Sequence, residues 1–405
     1  MRNQALDGVR IIEYGNYIAA PYCGKLLADM GAEVIKVERP QKGDESRYHG
    51  PFPNEVPDRE RSGLFLYLNS NKMGVTLDPV NQRGRALFLQ LLEDTDVLLE
   101  GYPARQMKDL GLDYQTLKDK FPRLIVASVS VFGQGGPHSD YKAYDINANA
   151  SAAVSIAIGK PDQEPLNPPL GQSEYLGGVA TGIGVILALL AREETGLGQH
   201  IDLSTAETMG YISAMINPNY SNYGIPWTRS GHRASESGGF YPGTILPCKD
   251  GHITMWARSG HAWKRFIEAM GNPDWSTDPR FLSRVRMGRE YPDEVDELLR
   301  PWLMSHTTDE IMEICIEFGI PFSEVRTIDK VANCSHLNER GFFITIEREE
   351  VGNLKYPGFP FKFSETPCRI NRPAPLLGEH NELIFEKRLG LSRQDILDLG
   401  RENVI

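Results

Sequence analysis

The sequence predicts an α/β protein: a large Rossmann-like domain on a parallel sheet, with a smaller α+β domain. Three observations carry this. Strand-like apolar runs alternate with helical stretches through the first half of the chain, and alternation of this kind indicates a mostly parallel sheet covered by helices. A segment rich in Gly, Pro, Ser and Tyr, residues 217–243, then interrupts the pattern. Finally, 405 residues that are 40% hydrophobic and 24% charged suit a soluble protein of two or more domains and exclude a disordered one.

The first strand is expected from Val9 to Tyr14, followed by Pro21 at a helix start, a helix to Met30 and Gly31 as its stop. A second strand from Glu33 to Val37 completes a βαβ unit. The alternation continues with a strand at Val75–Leu77, a helix from Arg83 to Glu93, strands at Asp96–Leu99 and Leu124–Val129, a helix from Leu176 to Arg192, and a strand at Ile201–Leu203. Residues 217–243 show no helical period and read as an interdomain crossing rich in aromatics. Beyond it, residues 244–330 form the smaller domain: a strand at Gly251–Trp256, helices at Ala262–Met270, Val295–Met304 and Ile311–Phe318, and a strand ending at Val325. The tail from Glu379 to Leu399 returns to helix, with Ser392 and Asp395 spaced as an approximate capping box.

The chain carries 11 excess negative charges (54 acidic less 43 basic residues), which argues against a general nucleic-acid binder or a binder of anionic membranes. The uncharged stretch from Gly177 to Ala191 falls short of the roughly 20 residues that span a bilayer, and reads as a core helix. Charges at Arg2, Asp7, Arg10 and Glu13 interrupt any signal-like apolar run, so a cytoplasmic protein is expected. The five scattered cysteines contain no C-x-x-C pair and read as buried free thiols. No two histidines stand at i, i+4 spacing, so no metal site is expected. Dinucleotide, P-loop, zincin and G-x-S-x-G signatures are all missing from the sequence.

What remains is a series of loops at strand ends that carry glycine or basic residues: Lys36 to Pro40, Asn69 to Lys72, Glu100 to Tyr102, Phe132 to Pro137, and Lys142 to Asp145. In an open α/β sheet such loops line the ligand crevice. Their order and spacing resemble the class III CoA-transferase family, which includes formyl-CoA transferase and crotonobetainyl-CoA:carnitine CoA-transferase. The resemblance runs through LDGVRIIE (Leu6–Glu13), GAEVIKVERP (Gly31–Pro40), Gly43 and Asp44, NSNK (Asn69–Lys72), DVLLE (Asp96–Glu100) and FGQGGP (Phe132–Pro137). It continues through TGLGQ (Thr195–Gln199), Asp202, Asp250, Gly251 and APLLGEH (Ala374–His380).

The resemblance implies a large domain built from residues 1–216 and completed by a return segment and C-terminal helices over 331–405, in an interlocked dimer. It implies no tightly bound cofactor, with coenzyme A and acyl-CoA as substrates alongside a carboxylic acid. The CoA contacts it implies are Ile18, Ala19, Arg39, Leu77, Asp78, Gly101, Tyr102, Lys142, Ala143, Tyr144 and Asp145. Arg39, Lys72 and Lys142 would supply positive charge for the phosphates, and the helix start near Pro21 unpaired N–H groups. Gly238 and Gly239 match a mobile glycine loop over the family's active site.

The family nucleophile is an Asp, which forms a mixed anhydride and then an aspartyl-CoA thioester. Here the matching stretch, Pro169–Gly178, places Glu174 there. A Glu carboxylate supports the same chemistry, although one extra methylene shifts the reacting oxygens by about 1 Å, a displacement that can cost on the order of 100-fold. Val131 stands in place of a family glycine, and Pro103–Arg105 in place of Arg-Pro-Gly. Three readings follow: a homodimer with Glu174 as nucleophile; the non-nucleophilic subunit of a heteromer with an Asp-bearing homologue, as in succinyl-CoA:benzylsuccinate CoA-transferase; or an acyl-CoA racemase or isomerase. The altered neighbours favour the second over the first, and Asp145, lacking an adjacent His, weakens the third.

Overall fold

A computed structural model describes residues 4–213, 216–234, 240–257 and 259–405. They form two compact units. The first comprises residues up to Ala152, Pro169–Ile212 and His336–Ile405. Its six strands are β1 (Arg10–Tyr14), β2 (Glu33–Glu38), β3 (Met73–Thr76), β4 (Val97–Glu100), β5 (Ile125–Ser130) and β6 (His200–Ser204). All neighbours pair in parallel, in the order β3-β2-β1-β4-β5-β6. The strand order reverses between β1 and β4, which opens a crevice at their carboxyl ends.

Successive strand residues serve opposite faces of the sheet. Ile12, Tyr14 and Leu98 join Phe88, Leu110 and Phe385 on one side, while Ile11, Val97 and Leu99 join Leu27, Val185 and Leu189 on the other. This period of two, with apolar residues at both phases, is the reason the strands read as continuous hydrophobic runs. The edge strand β3 is covered by the tail. Gly74 N–H donates to His380 Nδ1 at 3.2 Å, Gly74 O accepts His380 N–H, and Asn381 accepts Thr76 N–H at 2.9 Å.

The helix expected from Leu176 to Arg192 extends over Gln172–Thr195. Asp145 Oδ1 accepts both Ser173 N–H (2.9 Å) and Ser173 Oγ–H (2.7 Å), satisfying first-turn donors and adding a turn before Leu176. Glu174 therefore lies within the helix. The core-helix reading needs correction: Val185, Ala188 and Leu189 are buried, but Val179, Ile183, Leu187 and Leu190 are 37% to 62% exposed along one face. By length and composition this helix is apolar enough to cross a membrane. A hairpin of strands Phe343–Arg348 and Gly352–Pro357, not foreseen, also belongs to this unit.

The second unit comprises Ala153–Pro168 and Ser213–Ser335. An antiparallel sheet of β7 (Gly243–Pro247), β8 (His252–Trp256) and β9 (Phe322–Glu324) packs against helices Gly260–Ala269, Pro292–Ser305 and Thr308–Phe318, around Phe266, Leu299 and Ile311. The crossing at 217–243 holds a helix, Ile216–Tyr223, where the sequence showed no helical period. Its Asn, Ser and Tyr residues give no apolar stripe by which periodicity could detect it. Of the cysteines, Cys23, Cys248 and Cys315 are buried free thiols, whereas Cys334 and Cys368 are partly exposed.

Candidate active site

A cavity of about 360 Å³ opens at the carboxyl ends of β1, β4 and β5, in the crevice that the strand order creates. Asn16, Tyr17, Ala19 and Ala20 line it from the β1 loop and the helix Ala19–Asp29, and Gly101 to Pro103 from β4. Val129 to Phe132, Ser139 to Tyr144, Glu174 and Thr205 supply the rest.

Glu174 is 9% exposed, and its Oε2 accepts the backbone N–H of Ala19 at 3.2 Å. That N–H is one of the donors a helix start leaves unpaired, so the helix offers the carboxylate a favourable end of its dipole. Two glycines make the approach possible. A Cβ on Gly178 would lie 2.7 Å from Ala19 O, and one on Gly177 2.6 Å from Thr205 Cγ2, so larger residues would push the helix and its carboxylate away. Burial drives the Glu174 carboxyl up to about 7; the Ala19 hydrogen bond acts against the rise, and Asp145 and Glu45 add to it.

The loop carrying Tyr17 is held from below by a buried ionic network. Lys36 Nζ donates to Asp44 Oδ2 (2.6 Å), Glu13 Oε1 (2.9 Å) and Gly15 O (3.3 Å), and Asp44 Oδ1 accepts Tyr17 N–H at 3.1 Å. Tyr17 has φ +69°, a left-handed conformation that a bulky residue keeps only when its surroundings impose it. Lys72 pairs with Glu13 at 2.7 Å and donates to Pro21 O at 2.8 Å. Burial opposes the charges of both lysines. On Lys36, Asp44 and Glu13 outweigh it and hold the ammonium above its ordinary value; on Lys72 burial prevails, lowering it to about 8. Lys72 is fully buried, so it braces the first helix and is not a free cation for phosphate, as the sequence had suggested.

Of the sequence-derived CoA contacts, Ala19, Gly101, Tyr102, Lys142, Ala143 and Tyr144 line this one cavity with Glu174. Arg39 lies next door, in a cavity of about 220 Å³ shared with Lys42, Tyr48 and Tyr102; its guanidinium sits over the Tyr102 ring, 5.7 Å from the centroid. Both cations are exposed. Ile18 is buried at the N-cap of the first helix, and Asp145 holds Ser173. Leu77 is fully buried and Asp78 N–H bonds Val404 O; neither lines these two cavities. Gly238 and Gly239 lie outside the described residues. Sequence reasoning missed Tyr17, Lys42, Ser130 and Thr205, none of which carries a local signal of its own beyond residue type.

A parallel sheet with its crevice at the strand-order switch, and a buried carboxylate set on a helix start, place a ligand cavity where open α/β folds bind their ligands. The model of CoA-transferase family III matches residues 6–381, and the chain belongs to this family of enzymes, whose substrates are CoA thioesters. It is 31% identical to succinyl-CoA–D-citramalate CoA-transferase of Chloroflexus aurantiacus, covering 99% of this chain and 98% of that one. The alpha and beta subunits of succinyl-CoA–L-malate CoA-transferase of C. aurantiacus are 31% and 32% identical, each over 99% of this chain and over 92% and 98% of theirs. Among solved structures, a CaiB/BaiF family protein from Brucella suis superposes with a TM-score of 0.85 at 26% identity, covering 95% of this chain and all of that one (100%).

Proposed function

We propose that this protein moves CoA from an acyl-CoA such as succinyl-CoA to a carboxylic acid, with Glu174 as the covalent nucleophile. The observation that carries the reading is the placement of the Glu174 carboxylate: in the wall of the cavity, nearly buried, with one oxygen on the Ala19 N–H. The Glu174 oxygen attacks the thioester carbonyl carbon, the C–S bond breaks, and CoA departs as the thiolate from a mixed anhydride. The thiolate then attacks the Glu174 carbonyl carbon, releasing the donor's carboxylate and leaving a glutamyl-CoA thioester. An acceptor carboxylate repeats these steps in reverse, so Glu174 is restored with no water or proton consumed. A secluded carboxylate suits this sequence, because water would hydrolyse the anhydride.

A second reading, a non-nucleophilic subunit paired with an Asp-bearing homologue, is favoured by the relatives named as alpha and beta subunits. A racemase has less support: no histidine lines the cavity among the described residues. The apolar face of Val179, Ile183, Leu187 and Leu190 supports association with a further chain, in line with a cytoplasmic oligomer. Incubation with succinyl-CoA followed by hydroxylamine or borohydride tests the nucleophile. A modified peptide at Glu174, lost in Glu174→Gln together with exchange, is the expected result; an adduct found only on a partner chain's Asp overturns it.

A further inference from the structure

Strands β5 and β6 end side by side, with Ser130 opposite Ser204 in register. The chain runs on from them into Val131 and into the helix that starts at Thr205. Three hydroxyls cluster at this edge. Ser204 Oγ donates to Val131 O at 2.8 Å and accepts Glu207 N–H at 3.1 Å, so its bonding is complete. Ser130 Oγ and Thr205 Oγ1 are buried and make no hydrogen bond among the described residues. Thr205 as a whole is 1% exposed.

Both residues line the Glu174 cavity. The contact between Thr205 Cγ2 and the Gly177 position sets Thr205 against the helix three residues, about 4.5 Å of rise, beyond Glu174. A buried hydroxyl without a partner destabilises a fold, and native structures rarely keep one without a reason. Two such hydroxyls, on residues that line one cavity with Glu174, fit hydrogen bonds completed by a ligand once a χ1 rotation turns the oxygens from the packed wall to the cavity. The same stretch of wall is otherwise apolar, with Val129, Val131 and Phe132.

We propose that Ser130 and Thr205 form a hydrogen-bonding pair that recognises a polar substituent, a hydroxyl or a second carboxylate, on the acyl group held beside Glu174. The pair selects short polar-substituted acids over plain alkyl acids of equal length. A hydroxyl substituent donates to one residue and accepts from the other, a carboxylate accepts from both, and an alkyl chain leaves both unpaired. Sites built around such bonds reject the analogue that lacks them far more strongly than an apolar pocket rejects a methylene. The inference rests on the reading of the cavity as an acyl-CoA site.

The test is calorimetry on the full-length protein carrying Glu174→Gln, so that no acyl group is transferred during titration. Its ligands are CoA, butyryl-CoA, 3-hydroxybutyryl-CoA and succinyl-CoA. The two polar thioesters should bind at least tenfold tighter than butyryl-CoA. Thr205→Val or Ser130→Ala should reduce that ratio to threefold or less while leaving CoA itself unchanged, and Thr205→Ser should preserve it. Thr205→Val should not lower Tm, since it removes an unpaired polar atom. Equal binding of the three thioesters, or a ratio that survives both variants, overturns the pair's role and leaves the transferase reading standing. Failure of every CoA compound to bind overturns both.

Discussion

Ala19 and Glu174, 155 positions apart, meet through a backbone N–H donated to a carboxylate oxygen at 3.2 Å. The bond joins the start of the first helix to the first turn of the long helix, and the paired glycines below Glu174 permit the approach. It fixes one oxygen of the carboxylate; in the mechanism proposed above the other is the attacking atom.

The first prediction concerns pH. Burial raises the Glu174 carboxyl to about 7, so a mechanism that needs the carboxylate should show kcat/KM rising through pH 7 and levelling above it. Asp145→Asn removes one of the charges that add to the rise, yet keeps an oxygen to accept from Ser173. The acidic limb of its profile should move to lower pH. An unchanged limb would assign it to another group.

Glu100 predicts a stability effect of defined sign. Burial raises its carboxyl to about 7, against the bonds from Ser128 and Tyr102 N–H. Between about pH 4.5 and 7 the unfolded chain ionises while the folded protein keeps the proton, so stability is greatest below this window and falls as pH rises through it. The loss is on the order of 3 kcal/mol. Glu100→Gln should flatten the slope of urea midpoints across that range, and a slope as steep as that of the parent protein would count against the assignment.

Asp44 should matter to fold and site together. Asp44→Ala leaves two buried lysines, Lys36 and Lys72, to share the single carboxylate of Glu13, and frees Tyr17 from its left-handed conformation. Breaking a buried pair in this way costs about 3–5 kcal/mol. Lys36→Met with Asp44→Leu should cost less than the sum of the two single changes, because neither charge is left alone. Urea denaturation of the four proteins decides it; strict additivity would mean that the pair is not coupled.

CoA affinity should depend on exposed cations and not on buried ones. Arg39→Ala and Lys142→Ala are each expected to weaken CoA about tenfold, close to 1.4 kcal/mol, and to reduce its salt dependence. Lys72→Met should lower Tm and leave the affinity per folded molecule nearly as it was. Calorimetry with CoA and dephospho-CoA makes the comparison, and a Lys72 effect equal to that of Arg39 would refute it.

The exposed apolar face predicts association. Sedimentation should find the chain paired, with itself or with a homologue, and Leu187→Asp with Leu190→Asp should weaken the pairing. A stable 45.3 kDa monomer would remove the proposal.

By itself the sequence determined the parallel sheet, the order of its first strands and helices, and the cap at Ser392 and Asp395, which forms as expected. These features depend on neighbours a few positions apart: apolar runs such as Val34 to Val37, Gly31 as a stop, a hydroxyl three residues before a carboxylate. The loop motifs also brought Ala19, Tyr102, Lys142 and Glu174 to the same crevice, because strand ends in one parallel sheet share one side. Only the tertiary structure decided that Lys72 is an internal brace and Arg39 an exposed cation, two basic loop residues that look alike in sequence. It alone decided that Ser204 is satisfied while Thr205 beside it is not, and that burial raises the Glu174 carboxyl to about 7. Burial and hydrogen-bond completion are set by groups distant in the chain, and local sequence carries no record of which of them come within 3 Å.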